Sequence, residues 1–396
     1  MLLVAALALG ACGSDDEGSG GSGSGSSGES ASKEPIKVGS LFSVTGPPAV
    51  VGEKMRKGLE LAIDEINAEG GVAGRKLELV FYDPAADTNK AIDQTRRLIS
   101  RDKVDVVVGG GSQSGIALAM QPLLARAGIL FMATEGAREI VQPVEERKTT
   151  FKATFNDTVV LQRMAEYLSE QGVKSLGFLP DTSGFGESAK AELEKVAPEA
   201  GLKVSTQSFD PTATDLTPQL TKLRRGKPGA YVAWTTTPAG TTFLKNARRL
   251  GIDGPLGLGI GSADPAFYEQ AGAAGKGALL AAGKLPVYDL LPDDDPAKEV
   301  ITKFVEAYQD KYGEPANIFA SQAYDGMKLV AKALEATGGD TDAEKLAEAL
   351  ESLDTYRGVN GEFNYTAEDH SGLGTSDVAI AAWDGKRFVP ADGAGE

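Results

Sequence analysis

Residues 61–79 read LAIDEINAEGGVAGRKLEL, and this stretch contains the pattern that the rest of the chain repeats. The stretch and the residues before it carry apolar side chains at three- and four-residue steps, as on one face of a helix. These side chains are Met55, Leu59, Ala62 and Ile66. Two glycines follow the helical pattern, and the apolar run Leu77–Tyr82 then predicts a β-strand. The unit is therefore a helix that is followed closely by a strand.

Short apolar runs alternate with longer amphipathic stretches from Ile36 onwards. Several runs, such as Val104–Val108, are apolar almost throughout (Asp105 is the exception there), which suits a parallel sheet that is covered on both faces. Repeated strand–helix units imply right-handed crossovers and doubly wound layers. We therefore predict an α/β fold. The predicted strands are 36–42, 77–82, 104–108, 129–133, 175–179, 204–209, 231–234 and 256–260.

The strand–helix rhythm runs twice, before and after residue 150, and a helix-rich stretch over 296–353 and a short β-like tail follow. This organisation predicts two doubly wound parallel-sheet lobes joined by a multi-strand hinge. Open α/β sheets bind ligands at the carboxyl ends of their strands, so we expect the site in a cleft between the lobes. The predicted segments are 36–154 with 285–357 for the N-terminal lobe, 155–284 with 358–390 for the C-terminal lobe, and 391–396 for a disordered tail.

Composition and charge exclude several functional classes. The 396-residue chain has 56 acidic and 40 basic residues, a formal balance of −16 that disfavours binding to nucleic acid. A single cysteine, Cys12, excludes an internal disulfide and a cysteine-based zinc site. A single histidine, His370, excludes histidine clusters, and we expect it to be an exposed turn residue. No catalytic residue, metal site or cofactor is predicted.

The N-terminal residues look like a secretion signal followed by a tether. Residues 2–11 form an apolar run that is too short to span a bilayer but is typical of a signal peptide, which we place at 1–11. Leu9-Gly10-Ala11-Cys12 resembles the lipobox of bacterial lipoproteins, in which the cysteine becomes lipidated. Gly and Ser make up 15 of the 20 residues in 13–32. Residues 12–34 are therefore predicted to be a lipidated Cys12 with a flexible tether.

Several segments, in order, resemble the leucine/isoleucine/valine-binding family, the type I periplasmic solute-binding proteins of ABC importers. The resemblance extends over roughly residues 36–390. The segments that carry it are Thr45-Gly46-Pro47, 61–79, VVGGGSQS at 107–114, Phe185-Gly186-Glu187 and Ala323-Tyr324-Asp325. The sequence DHSGL at 369–373 is more similar to the branch that takes up aromatic and other non-amino-acid carboxylates.

The resemblance implies a lipid-anchored, extracytoplasmic and monomeric binding protein. Such a protein captures a small carboxylate by hinge closure and delivers it to a membrane permease, and a separate ATPase drives import. Membrane contact through the lipid anchor only is expected, and no catalysis. A sensory or accessory protein of the same fold and a secreted α/β enzyme are the alternatives.

The loop Gly109–Gly115, GGGSQSG, is the main candidate for ligand binding. It follows a strand and opens a helix, so its backbone N–H groups and the helix N-terminus could hold an anion. The side chains Ser112, Gln113 and Ser114 are predicted to contact the ligand, and the resemblance assigns the ligand carboxylate to Ser114. A plain tight turn between strand and helix is the alternative.

A second loop, Thr134–Ala137, follows the next strand and is also predicted to contact the ligand. The resemblance places a hydroxyl residue that holds the ligand's ammonium near Ala137, where this chain has no hydroxyl. Glu135 is either a negative charge in the site or a solvated loop residue.

The remaining predicted contacts follow from the resemblance. Phe185 matches an aromatic residue that packs over the ligand, and Val51 matches a pocket residue. Trp234 and Thr236 end a strand, and Ile260 falls where amino-acid binders carry an acid. An unpaired ammonium in a dry cleft would cost several kcal/mol, so an α-amino acid is a poor ligand unless Glu135 or Asp157 supplies the charge. Simple packing is the alternative role for each of these side chains.

Overall fold

The structure is a computed structural model, and it describes residues 34–391. The predicted signal peptide, the lipidated Cys12, the tether and the terminal tail lie outside the described residues, apart from Glu34 and Ala391. Within 34–391, no helix is both long enough and apolar enough to cross a membrane.

The first sheet has five parallel strands in the order β2-β1-β3-β4-β5. Its strands are β1 (Ile36–Leu41), β2 (Leu77–Tyr82), β3 (Val106–Gly110), β4 (Leu130–Ala133) and β5 (Thr150–Lys152). The helices between them are α1 (Ala49–Ala68), α2 (Thr88–Arg97) and α3 (Ser114–Ala127). The predicted apolar face of α1 is buried, and β3 is buried throughout, as a strand covered on both faces must be.

The second sheet has seven strands in the order β14-β13-β10-β9-β8-β6-β7. Its parallel strands are β6 (Ser175–Pro180), β7 (Lys203–Thr206), β8 (Ala230–Trp234), β9 (Leu256–Leu258) and β10 (Leu279–Gly283). The small hairpin β11 (Tyr356–Arg357) and β12 (Glu362–Phe363) precedes two antiparallel strands of the second sheet, β13 (Val378–Trp383) and the edge strand β14 (Phe388–Pro390).

Eight further helices complete the described part of the chain. Those that follow the strands of the second sheet are α4 (Asp157–Glu170), α5 (Gly184–Glu199), α6 (Thr217–Arg224), α7 (Ala239–Arg249) and α8 (Pro265–Ala271). The later helices are α9 (Pro296–Tyr312), α10 (Ile318–Ala336) and α11 (Ala343–Glu351). Helix α10 packs on α1, β3 and β4, and α11 packs on α10 and β4, so these helices return to the first sheet. Gly58 permits the close approach of α10, because a Cβ there would lie 1.9 Å from the carbonyl oxygen of Ala320.

Within residues 34–391, the chain passes between the two sheets three times. We call residues 153–156 the first crossing, 284–317 the second and 352–377 the third. The crossings meet side by side, since a Cβ on Gly283 would lie 3.3 Å from both the Phe155 ring and the Asn360 carbonyl oxygen. These features confirm the predicted α/β fold with two lobes and a multi-strand hinge. The segment boundaries of the lobes stay a prediction.

Several strand predictions differ from the structure at their ends, and the strands β5, β10, β11 and β14 were not predicted. The strand predicted at 256–260 ends at Leu258, because Ile260 begins a 3₁₀ turn. Strand β5 has only three residues and ends on a lysine, and β10 contains alanine and glycine, which have low β propensity. Both strands are buried, so tertiary packing rather than local preference determines them.

Candidate functional site

A partly open cavity lies between the two sheets, with about 500 Å³ of empty space that includes its opening to solvent. The β3–α3 loop and the loop after β4 form one wall, and the start of α5 with the turn after β9 forms the opposite wall. The lining residues are Val51, Met55, Ser112, Gln113, Ser114, Thr134, Glu135, Gly136, Thr154, Ser183, Phe185, Thr236, Ile260, Gly261, Phe319 and Gln322. The cavity therefore stands at the carboxyl ends of parallel strands, where the fold predicts a ligand.

The two lobes touch each other beside this cavity. A Cβ on Gly184, at the start of α5, would lie 3.2 Å from the backbone nitrogen of Gly115 in α3. A Cβ on Gly136 would lie 2.7 Å from the ring of Phe185. Each approach joins a residue of the first lobe to one of the second, so the structure shows the closed arrangement.

The β3–α3 loop is a hydrogen-bonding cradle, and a side chain of the protein occupies it. Gly109, Gly111 and Ser112 have φ values of +96°, +78° and +64°, which turn successive N–H groups inward. The N–H groups of Gly110 and Ser112 donate to Oε1 of Glu135 at 2.9 and 3.0 Å. The cradle for an anion is therefore present, and the Glu135 carboxylate takes two of its N–H groups.

Glu135 is buried in the wall of the cavity, with 4% of its surface exposed. The N–H of Thr134 donates to Oε2 at 3.0 Å, and the Thr134 hydroxyl donates to Oε1 at 3.1 Å. Burial raises the pKa of Glu135, and these hydrogen bonds with those from the β3–α3 loop oppose the rise. The alternative of a solvated loop residue is wrong, because the carboxylate is enclosed by backbone donors.

Two serine hydroxyls remain available near the start of α3. The Oγ of Ser114 accepts from the N–H of Ala137 at 3.2 Å, and the Oγ of Ser112 accepts from the N–H of Ser43 at 3.2 Å. Because each oxygen acts as an acceptor here, each hydroxyl keeps its proton for donation to a ligand. Gln113 precedes α3 without capping it through its side chain, so that side chain does not occupy the first N–H groups of the helix.

Nine of the eleven predicted ligand contacts lie on the cavity wall. They are Val51, Ser112, Gln113, Ser114, Thr134, Glu135, Phe185, Thr236 and Ile260. Trp234 and Ala137 are not on it. The Trp234 ring is fully buried and lies behind Phe185, with ring centroids 5.4 Å apart, so Phe185 separates it from the cavity. Ala137 is buried and meets the site only through its N–H.

Sequence reasoning missed several wall residues that lie far away along the chain. Phe319 and Gln322 are one turn apart on α10, and the Nε2 of Gln322 donates to the Thr154 hydroxyl of the first crossing at 2.8 Å. Their three-residue spacing fits one helix face, but only the return of α10 to the first sheet brings them to the cavity. Met55 was assigned to the buried face of α1 and lies at the edge of that face.

The structure corrects the predictions for two further titratable residues, Asp157 and His370. Asp157, considered as a substitute partner for a ligand ammonium, is fully buried at the start of α4 and is not on the wall. His370, expected to be an exposed turn residue, is fully buried and stacks on Phe151 at 3.9 Å. Its ring nitrogens lie 2.9 Å from the Thr150 carbonyl oxygen and 3.0 Å from Glu351. His370 therefore joins the third crossing to the first sheet.

The wall of the cavity carries no lysine, arginine or histidine among its lining residues. Within residues 34–391, no group of three or more His, Cys, Asp or Glu side chains could hold a metal ion. Hydroxyls, amides and apolar side chains make up the rest of the wall, and Glu135 is its charged residue. This arrangement suits reversible binding of a small molecule with a polar end and an apolar body.

Two open α/β sheets whose strand ends face one cavity between them define a two-lobed solute-binding protein. The chain matches the family described as periplasmic binding protein over residues 35–388. It is 30% identical over 338 residues to Leu/Ile/Val-binding protein homolog 7 of Brucella abortus (strain 2308), with 82% of each chain covered.

Solved structures show the same similarity. An extracellular ligand-binding receptor from Rhodopseudomonas palustris HaA2 is 25% identical, with a TM-score of 0.83 over 90% of this chain and 99% of that chain. The branched-chain amino acid transporter substrate binding protein LivJ from Streptococcus pneumoniae, in complex with isoleucine, is 25% identical, with a TM-score of 0.77 over 89% of this chain and 97% of that chain. The chain belongs to the periplasmic binding proteins of the leucine/isoleucine/valine-binding family. This family consists of extracytoplasmic solute-binding proteins rather than enzymes.

Proposed function

We propose that this protein is the substrate-binding component of an ABC uptake transporter and that it carries a small carboxylate with an apolar body. One observation supports this most directly: the cavity between the lobes combines the start of α3 and its serines with apolar side chains from both lobes. A buried carboxylate and an apolar wall together can supply about −8 kcal/mol, which corresponds to micromolar binding.

The ligand carboxylate is proposed to lie at the start of α3. The hydroxyls of Ser112 and Ser114 and the first N–H groups of the helix would hold it, since the helix N-terminus favours negative charge. The apolar body would lie between Val51 of one lobe and Phe185 and Ile260 of the other. The two lobes would then contact the ligand together only in the closed state, so ligand binding favours closure.

An aromatic or aliphatic acid is the ligand class that we favour. Ile260 is apolar, and Ala137 lacks a hydroxyl, so two positions that the family resemblance assigns to an ammonium group have no polar side chain. The DHSGL sequence at 369–373, similar to the branch that takes up non-amino-acid carboxylates, points the same way.

A hydrophobic α-amino acid is the second candidate, and Glu135 is the observation that favours it. Its carboxylate is on the wall and could pair with an ammonium group, although four hydrogen bonds already hold it. The similarity to a Brucella Leu/Ile/Val-binding homolog and to a Streptococcus protein solved with isoleucine supports this candidate.

We further propose that Cys12 is lipidated and that the chain is anchored outside the cell membrane, from where it delivers ligand to the permease as a monomer. Replacement of Cys12 by alanine is expected to release the protein from the membrane fraction into the medium or the periplasm. A Cys12→Ala protein that stays in the membrane fraction would contradict the anchor.

A thermal-shift screen tests the proposed function. The purified protein is heated with amino acids, aromatic acids and short aliphatic acids in separate samples, because bound ligand raises Tm by mass action. We expect one acid class to raise Tm and mass spectrometry to recover that ligand unaltered. A library without any stabilising acid would contradict the proposal, and a chemically changed ligand would indicate an enzyme of the same fold.

A further inference from the structure

A fully buried lysine, Lys152, lies behind the candidate site at the end of β5. Its Nζ donates to the carbonyl oxygens of Gly136 and Ala137 at 2.6 and 3.2 Å. It also donates to the Oδ1 of Asn156 at 2.7 Å. All three protons of this ammonium group therefore have acceptors within the protein. Lys152 is not among the residues that line the cavity, so it is not a proposed ligand contact.

The acceptors of Lys152 belong to two different parts of the fold. Gly136 and Ala137 are in the loop after β4, Thr134–Ala137, which we call the ligand loop because Thr134, Glu135 and Gly136 line the cavity. Asn156 is the last residue of the first crossing, immediately before α4 of the second lobe. Lys152 therefore connects the ligand loop of one lobe directly to the chain segment that leads into the other lobe.

The same cluster extends to the third crossing. The Nδ2 of Asn156 donates to the Ser371 hydroxyl at 2.8 Å, and that hydroxyl donates to Asp369 at 2.8 Å. The backbone N–H of Lys152 donates to the carbonyl oxygen of His370 at 2.9 Å. The Tyr365 hydroxyl donates to the carbonyl oxygen of Lys152 at 2.6 Å. Two of the three segments that join the lobes thus meet at one residue.

We propose that Lys152 is a positioning residue that couples the ligand loop to the first and third crossings. The functional consequence of this inference rests on the proposed function. That consequence is that the ligand loop adopts its ligand-binding geometry when the first and third crossings have their closed arrangement. Its physical basis is independent of any ligand: one ammonium group holds two loop carbonyls and one hinge side chain, and an apolar side chain of equal length could hold none of them.

The charge of Lys152 makes this coupling dependent on pH. Burial lowers the pKa of Lys152 to about 8, and nearby carboxylates oppose that decrease. The carboxylates that face it come from four segments, and they are Asp157, Glu139, Asp369 and Glu135. Loss of the proton above pH 8 leaves the amine with two protons for three acceptors, so we expect the loop to be held less firmly there.

Hydrogen exchange in the ligand-free protein tests the coupling. The reporters are the amides of Thr134 and Ala137, which are hydrogen-bonded in the ligand loop. Lys152→Met is expected to speed their exchange about 10-fold or more. Asn156→Ala, at a residue that does not line the cavity, is expected to speed the exchange of these amides several-fold. The double variant is expected to exchange no faster than Lys152→Met alone. Lys148→Met, at an exposed lysine of the same segment, is the matched control and should change nothing.

The outcome at Asn156 decides between coupling and a local role. If Asn156→Ala leaves the exchange of the ligand loop unchanged while Lys152→Met speeds it, Lys152 only supports its own neighbours and the proposal is overturned. If Lys152→Met does not fold, Asn156→Ala and Ser371→Ala give the same test with smaller changes. Since no ligand is needed, failure of the proposed function does not affect this result.

Ligand affinity gives a second readout when the thermal-shift screen has identified an acid. The affinity of the wild-type protein for that acid is expected to decrease as pH rises above 8. The affinity of Lys152→Met is expected to be about 10-fold weaker and not to change with pH over the same range. A wild-type profile that matches that of Lys152→Met would contradict the coupling. A wild-type protein that binds no acid would instead count against the proposed function.

Discussion

At the scale of single residues, the chemistry of the site depends on the β3–α3 loop. Glu135 accepts hydrogen bonds from backbone N–H groups of this loop, and Ser112 and Ser114 supply its hydroxyls. The loop N–H groups that sequence reasoning reserves for a ligand are used by Glu135, at 2.9 and 3.0 Å. Ser114 and Ser112 keep their hydroxyl protons, because their oxygens accept from backbone N–H groups. A ligand carboxylate would therefore meet hydroxyls first and a buried acid close by.

Ser114→Ala is expected to weaken binding of the proposed acid about 10-fold, because the ligand carboxylate loses a hydroxyl donor. Removal of the acceptor for the Ala137 N–H should cost the fold about 1 kcal/mol, so the variant stays folded. Isothermal titration with a melting curve measures both effects. Unchanged affinity would mean that the loop is only structural.

Glu135→Gln distinguishes the two ligand classes. Burial raises the pKa of Glu135, so the folded protein holds this proton more tightly than an exposed glutamate does. For a plain acid, wild-type affinity should increase as pH falls through that raised pKa, and Glu135→Gln should bind more tightly than wild type above that pKa and lose the dependence. For an α-amino acid both signs reverse, since the ammonium loses its partner. Titration with each ligand class over a pH range that spans this pKa therefore shows which candidate is correct.

At the scale of elements, hydrophobic periodicity predicted most of the strands and helices of the described residues. The apolar face of α1 and the buried strand β3 follow directly from local sequence. Strands β5 and β10 were missed because three residues ending in lysine, or a run rich in alanine, carry little local signal. The contribution of α10 to the site and the burial of His370 depend on contacts between residues far apart in sequence, which periodicity cannot supply.

Helix α10 shows how one buried acid holds a crossing in place. Asp325 is fully buried and accepts from the backbone N–H groups of Val359 and Asn360 at 2.9 Å each and from the Asn360 Nδ2 at 2.7 Å. Gly358 lets this turn approach, since a Cβ there would lie 2.8 Å from the carboxylate. Asp325 thereby fixes the third crossing to the first lobe.

Asp325→Ala is expected to lower the free energy of unfolding by about 3 kcal/mol at pH 7, because three buried donors lose their acceptor. Chemical denaturation measures this loss, and Asp354→Ala, at an exposed position of the same crossing, is the control that should change it by less than about 0.5 kcal/mol. A loss no larger than that of the control would show that the carboxylate does not hold the turn.

The pH dependence of that loss has a definite sign. Burial raises the pKa of Asp325 from 3.8 to about 6, so the folded state binds this proton more tightly than the unfolded state. The additional stability that protonation of the folded Asp325 provides is complete below about pH 4 and is lost as pH rises through about 6. The difference between wild type and Asp325→Ala should therefore be larger at pH 4.5 than at pH 7.

At the scale of the whole molecule, function depends on two lobes that meet around a ligand. Gly184 and Gly115 approach each other across the cleft, and any larger residue at 184 would make a tight contact, since a Cβ there would lie 3.2 Å from the Gly115 nitrogen. Three crossings connect the lobes, which allows a hinge motion without unfolding of either sheet.

Gly184→Val is expected to keep the lobes apart and to weaken ligand binding about 10-fold or more, because the added side chain contacts the start of α3 before the cleft closes. Gly115→Ala is the matched control, since a Cβ at Gly115 meets no atom within 4 Å. Small-angle scattering should show a smaller radius of gyration with ligand for wild type and the control but not for Gly184→Val. Equal compaction in all three proteins would contradict this role of Gly184.

The most direct test of the central claim is a crystal structure of the protein grown with the acid that raises Tm most. We predict one unaltered ligand molecule between the two sheets, with its carboxylate at Ser114 and the start of α3 and its apolar body against Phe185. An empty cleft at saturating ligand, or a ligand bound outside the cavity between the lobes, would contradict the account.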